Sequence, residues 1–98
     1  MSAAALPSEV QRTLRRMARA LGRNGLSGPF GHCSLRLDAD HFLVCAPRPM
    51  ALIAADESGT VVPVAGPLPD GVLGEVRLHQ QVYARRSEVQ AVCRFISP

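Results

Sequence analysis

The chain reads as a single domain of the α/β class, and three observations predict this. Apolar residues recur at helical spacing in two segments, over 10–21 and 73–86. Short stretches rich in β-branched or alternating apolar residues lie at 33–37, 41–45, 60–64 and 89–96. Glycine- and proline-rich segments separate them, and 98 residues leave room for one modest core only.

Composition narrows the function classes. Hydrophobic residues at 47% and charged residues at 19% are ordinary globular usage, and no apolar run is long enough to span a bilayer as a helix. No membrane partner is expected. All 11 basic residues are arginine, so no lysine is present to form a Schiff base with a carbonyl substrate. Cys33, Cys45 and Cys93 are odd in number and widely spaced, which fits neither a disulfide framework nor a paired-cysteine metal knuckle. They read as reduced, mostly buried thiols, and a cytoplasmic location is expected. The arginine-rich first 25 residues also suit a transit peptide, but Glu9 and the capping residues favour a folded helix.

The first helix follows Pro7 and Ser8. Val10, Leu14, Met17, Ala18 and Leu21 share one face, Ser8 and Gln11 form a capping-box pattern, and Gly22 or Gly25 ends the helix. Arg12, Arg15, Arg16, Arg19 and Arg23 occupy the opposite surface. With no aromatic platform beside them they read as a solvated face, so no nucleic-acid partner is expected.

After a Gly-Pro-rich stretch at 28–31, Cys33, Leu35 and Leu37 alternate with Ser34 and Arg36 as in a half-buried strand. A turn at 38–40 leads into HFLVC at 41–45, making an antiparallel hairpin that Pro47 and Pro49 stop. Residues 60–64, interrupted by Pro63, suit an edge strand, and GPLPDG at 66–71 is a loop. The second helix places Val76, His79, Val82 and Tyr83 on one face. VQAVCRFI at 89–96 reads as a buried strand with neighbours on both sides.

Two places could carry chemistry. The turn at Gly31 feeds His32, Cys33 and Ser34 into a strand, and a glycine there lets backbone N–H groups approach an anion. His32 is either a ligand-binding donor or a structural polar residue. Glu75 and His79, four apart, lie on one helix face. Glu75 either transfers protons from a pocket or complements the helix dipole.

The ordered set of helix, GHCSLR strand, hairpin strand, PLPDG loop, EVRLHQQVYARR helix and AVCRF strand resembles the N-terminal part of the class II aldolase and adducin head domain family. The resemblance runs from about Leu6 to Pro98, so residues 1–98 are read as one incomplete domain of that kind. It implies a three-layer α/β/α class II aldolase-like fold around a mixed or antiparallel central sheet, of which this is the N-terminal half. It further implies a homo-oligomer with sites between subunits, and lyase chemistry on small hydroxy-carbonyl compounds or hydroxy acids. Glu75 corresponds to the family's proton-transfer carboxylate, and Gly31, His32 and Ser34 to its substrate anion site.

The family also implies zinc or another divalent metal, held by a His-x-His pair on the strand after the second helix. Arg94 and Ile96 stand at those positions here, and neither can ligate a cation. No cofactor is therefore expected, and Arg94 becomes a candidate electrophile. The phosphate-gripping serines before the family's carboxylate are here Leu73 and Gly74. Activity of the chain alone is not expected. A non-catalytic oligomerisation or interaction module of the adducin type is the alternative.

Overall fold

The structure is a computed structural model, and it describes residues 8–23, 31–54 and 56–94. Helix α1 spans Ser8–Arg23. Strands β1 (His32–Arg36) and β2 (His41–Val44) form the expected antiparallel hairpin, with Leu35 opposite Leu43. Strand β3 (Thr60–Pro63) pairs antiparallel with β2 and ends at the proline, as an edge strand should. A 3-10 turn at Gly74–Val76 runs into helix α2 (Arg77–Arg85), and β4 (Ala91–Arg94) pairs antiparallel with β1. The sheet is antiparallel throughout, in the order β3-β2-β1-β4.

Side chains alternate across a strand, and this alternation divides the core in two. Cys33 and Leu43 pack with Leu14 and Ala18 of α1, together with Met50 and Ile53. Phe42, Val44 and Val62 point the other way and pack with Val76 and Tyr83 of the 3-10 turn and α2. The Phe42 and Tyr83 rings lie 4.7 Å apart and tilted by 32°. Burying a side chain of this size stabilises the fold by about 1.5–3 kcal/mol.

Several expectations are refined. α1 passes through Gly22 rather than ending there, because this residue lies against the 3-10 turn at Met50–Leu52, and any Cβ would collide with the Ala51 backbone. Gly25 lies outside the described residues. Gln11 is buried, and its side-chain carbonyl accepts the Gly59 N–H at 3.0 Å, tying α1 to the approach to β3.

The last strand differs most from its reading. Among the described residues β4 is an edge strand, with Ala91 and Cys93 exposed. Cys93 therefore departs from the buried-thiol reading, whereas Cys33 and Cys45 meet it. Val89, read as part of this strand, instead belongs to the turn after α2, where its N–H donates to the Arg86 carbonyl and its side chain packs on the Phe42 cluster. Ile96 lies outside the described residues.

The loop at 66–71 is shaped by Gly66 (φ 102°) and Gly71 (φ 83°), conformations that favour glycine. Gln80 of α2 holds the start of this loop, donating to the Pro63 carbonyl at 2.9 Å and the Gly66 carbonyl at 3.1 Å. At the other end of α2, Arg36 reaches under the helix. It donates to the carbonyls of Tyr83 (2.9 Å), Arg86 (3.1 Å) and Val89 (2.7 Å), with its guanidinium 4.8 Å from the Tyr83 ring centre. The first two belong to the C-terminal end of α2 and its cap, where a cation is favoured, and the third to the turn that follows.

Candidate functional site

The face of β1 that α2 covers carries His32, Ser34 and Arg36. Even-numbered residues of this strand point towards the helix, and Glu75, His79 and Tyr83 meet them from the other side. Four of these groups form one continuous buried chain. Tyr83 Oη lies 2.8 Å from Ser34 Oγ, Ser34 Oγ 2.6 Å from His79 Nδ1, and His79 Nε2 2.6 Å from His32 Nδ1. His32 Nε2 then faces Glu75 Oε2 at 3.8 Å and is the one buried side-chain polar atom without a hydrogen bond among the described residues.

Burial lowers both imidazoles. His79 is fully enclosed, stacked 6.2 Å from the Phe42 ring, and its pKa falls to about 3 through desolvation, with His32 and Arg94 adding to the effect. His32 is lowered by desolvation and by the Arg94 charge, against an opposing pull from Glu75. Desolvation raises Tyr83, which therefore keeps its hydroxyl proton at neutral pH. Arg94 is the cross-strand partner of His32, so its charge belongs to the same face of the sheet.

A cavity of about 290 Å³ opens beside this chain. Gly31 and His32 form one side, Val44, Val72, Leu73 and Val76 give it an apolar wall, and Thr60 and Arg48 complete the rim. Arg48 is already paired with Glu57 at 2.9 Å. Glu75 lies in the chain between the lining residues Leu73 and Val76, with its side chain 45% exposed and so accessible from solvent.

Of the residues singled out in the sequence, Gly31 and His32 line the cavity, Glu75 faces His32 without itself lining the cavity, and Arg94 flanks His32. Ser34 does not line the cavity. It is fully buried behind His32, with its hydroxyl engaged by His79 and Tyr83. Tyr83 was legible only as a core residue, although Glu75, His79 and Tyr83 follow at intervals of four and so share one helical stripe. Among the described residues no group of three or more His, Cys, Asp or Glu side chains is placed to hold a metal ion.

No protein-family model and no curated protein sequence matches the chain. Solved structures do. An L-fuculose 1-phosphate aldolase from Glaciozyma antarctica superposes with a TM-score of 0.73 at 20% identity, over 93% of this chain and 41% of that one. An L-fuculose-1-phosphate aldolase from Thermus thermophilus gives 0.72 at 26% identity, over 90% of this chain and 46% of that one. The chain thus spans less than half the length of either structure, and over that length it has the class II aldolase fold, as its sequence resemblance implied.

Proposed function

We propose that this chain is part of a class II aldolase-like domain whose site binds a small hydroxy-carbonyl compound or hydroxy acid and moves a proton at Glu75. In this reading the sheet and its helices belong to a three-layer α/β/α domain that works as a homo-oligomer. The supporting observation is an exposed carboxylate 3.8 Å from a buried histidine that lines an apolar cavity and whose outer nitrogen has no hydrogen-bond partner among the described residues. A carboxylate so placed can take the proton from the carbon next to a carbonyl. The C–H bond breaks, the proton passes to Glu75, and the electron pair moves onto the carbonyl oxygen as an enediolate.

Arg94 would stabilise that developing negative charge. The donor set does not fit the divalent cation that the family resemblance implies. His79 has both nitrogens engaged, His32 has one, and a fixed guanidinium flanks them. One free imidazole nitrogen and one carboxylate beside a positive charge are a poor cation site.

The full lyase reaction is not expected of this chain alone, and deuterium exchange at the α-carbon of dihydroxyacetone, followed by proton NMR, isolates the proton-transfer half-reaction from it. The chain is expected to accelerate exchange, added zinc to leave the rate unchanged, and Glu75→Gln to lower it about 100-fold or more. Equal rates for the two proteins would overturn the role of Glu75. A wild-type chain inert with and without zinc would favour the non-catalytic interaction module.

A further inference from the structure

The four-group chain behind Glu75 has a direction, and the direction follows from counting donors. Tyr83 Oη has Ser34 Oγ as its hydrogen-bond partner, and the tyrosine is 2% exposed. If Tyr83 donates to Ser34, then Ser34 donates to His79 Nδ1, His79 Nε2–H donates to His32 Nδ1, and His32 is left with its proton on Nε2. Every donor then has an acceptor up to the last, which faces a carboxylate 3.8 Å away. Run the other way, the chain would aim the tyrosine proton at no acceptor among the described residues and turn a His32 lone pair towards the Glu75 carboxylate. Each defect leaves a buried polar group unsatisfied at a cost of about 1–3 kcal/mol.

We infer that His32 is a positioning residue for Glu75: Tyr83, Ser34 and His79 lock it as the neutral Nε2–H tautomer, and that proton holds the carboxylate in place at the cavity. A small rotation of the part-exposed Glu75 side chain closes 3.8 Å to a hydrogen bond. A neutral donor suits this task. An imidazolium would stabilise the ionised carboxylate and so weaken it as a proton acceptor, while a ring with its lone pair outward would push the carboxylate away. The lowered pKa values of both rings keep the chain neutral at physiological pH. The catalytic consequence rests on the proposed role of Glu75, whereas the tautomer itself does not.

The protein has three histidines, so nitrogen-15 NMR of the full chain labelled at histidine separates the buried pair from His41. At pH 7 both His32 and His79 are expected as neutral Nε2–H tautomers. Removing the groups that bias the two ends, in the double variant S34A/E75A, lets the Nδ1–H form emerge in both rings together, because they share one hydrogen bond. An Nδ1–H or imidazolium form of either ring in the wild type would overturn the lock, and this reading stands even if the variant fails to fold. For the positioning role, His32→Leu is expected to lower kcat for α-proton exchange about 100-fold. His32→Gln, whose amide N–H replaces the imidazole Nε2–H, restores most of it, and an equal loss in both variants would overturn positioning. Correct tautomers without any exchange would sink the Glu75 proposal and leave the lock standing.

Discussion

Burial against Phe42 and His32 lowers the His79 imidazole to about 3, and that shift is a statement about stability. In the unfolded chain the same ring has a value near 6.5, so between pH 6.5 and about 3 the unfolded state binds the extra proton. Stability contributed by neutral His79 is therefore complete above pH 6.5 and is lost as the pH falls through this window. His32, lowered for the same reason, acts in the same direction. Each proton taken up on unfolding gives a slope of about 1.4 kcal/mol per pH unit, large against a total stability of about 5–15 kcal/mol. The urea midpoint should fall steadily from pH 6.5 to pH 4.5, and a flat midpoint over that range would mean that the pair protonates without penalty. At this scale the sequence exposed Glu75, His79 and His32 as candidates but not their linkage. The pairing of His32 with His79 joins residues 47 apart and depends on how β1 seats under α2. Periodicity along one element carries no information about which residue of another element it meets.

The two helices are held by different means, and the difference was only partly legible. α1 was plain from its stripe of Val10, Leu14, Met17, Ala18 and Leu21, because a repeat over about three turns outweighs local noise. Its passage through Gly22 was not, since the reason is the Ala51 backbone, a contact far away in sequence. α2 has nine residues, too few for a stable isolated helix, and depends on its anchors. Arg36 is one of them, capping three carbonyls at its end and in the following turn. Arg36→Ala is expected to destabilise the fold by roughly 1.5–3 kcal/mol, the range for hydrogen bonds to a charged group. Arg36→Lys should recover little, because one ammonium cannot reproduce the planar fork. Chemical denaturation of both variants checks this, and a lysine variant as stable as the wild type would point to charge alone.

Across the whole molecule, the two hydrophobic clusters lie on opposite faces of β2 and β3, so neither can come apart without exposing the backs of strands that serve the other. Tyr83 is the single tyrosine and there is no tryptophan, so intrinsic fluorescence reports only on the α2 side, whereas far-ultraviolet circular dichroism reports on both. The two transitions are expected to coincide in urea, and separated midpoints would show independent units. The hairpin and the edge character of β3 were readable from alternation, turn residues and Pro63. The edge position of β4 was not, because the β-branched content of VQAVCRFI fits a covered strand equally well. In β1, five residues write two environments at once: thiol and aliphatic groups for α1, imidazole, hydroxyl and guanidinium for α2. A slip of one position would exchange the two sets, sending a charge into an oily layer and a sulfur into the proton chain. Insertions or deletions of a single codon between 32 and 36 should therefore be far more harmful than most replacements there, since they misplace every partner together.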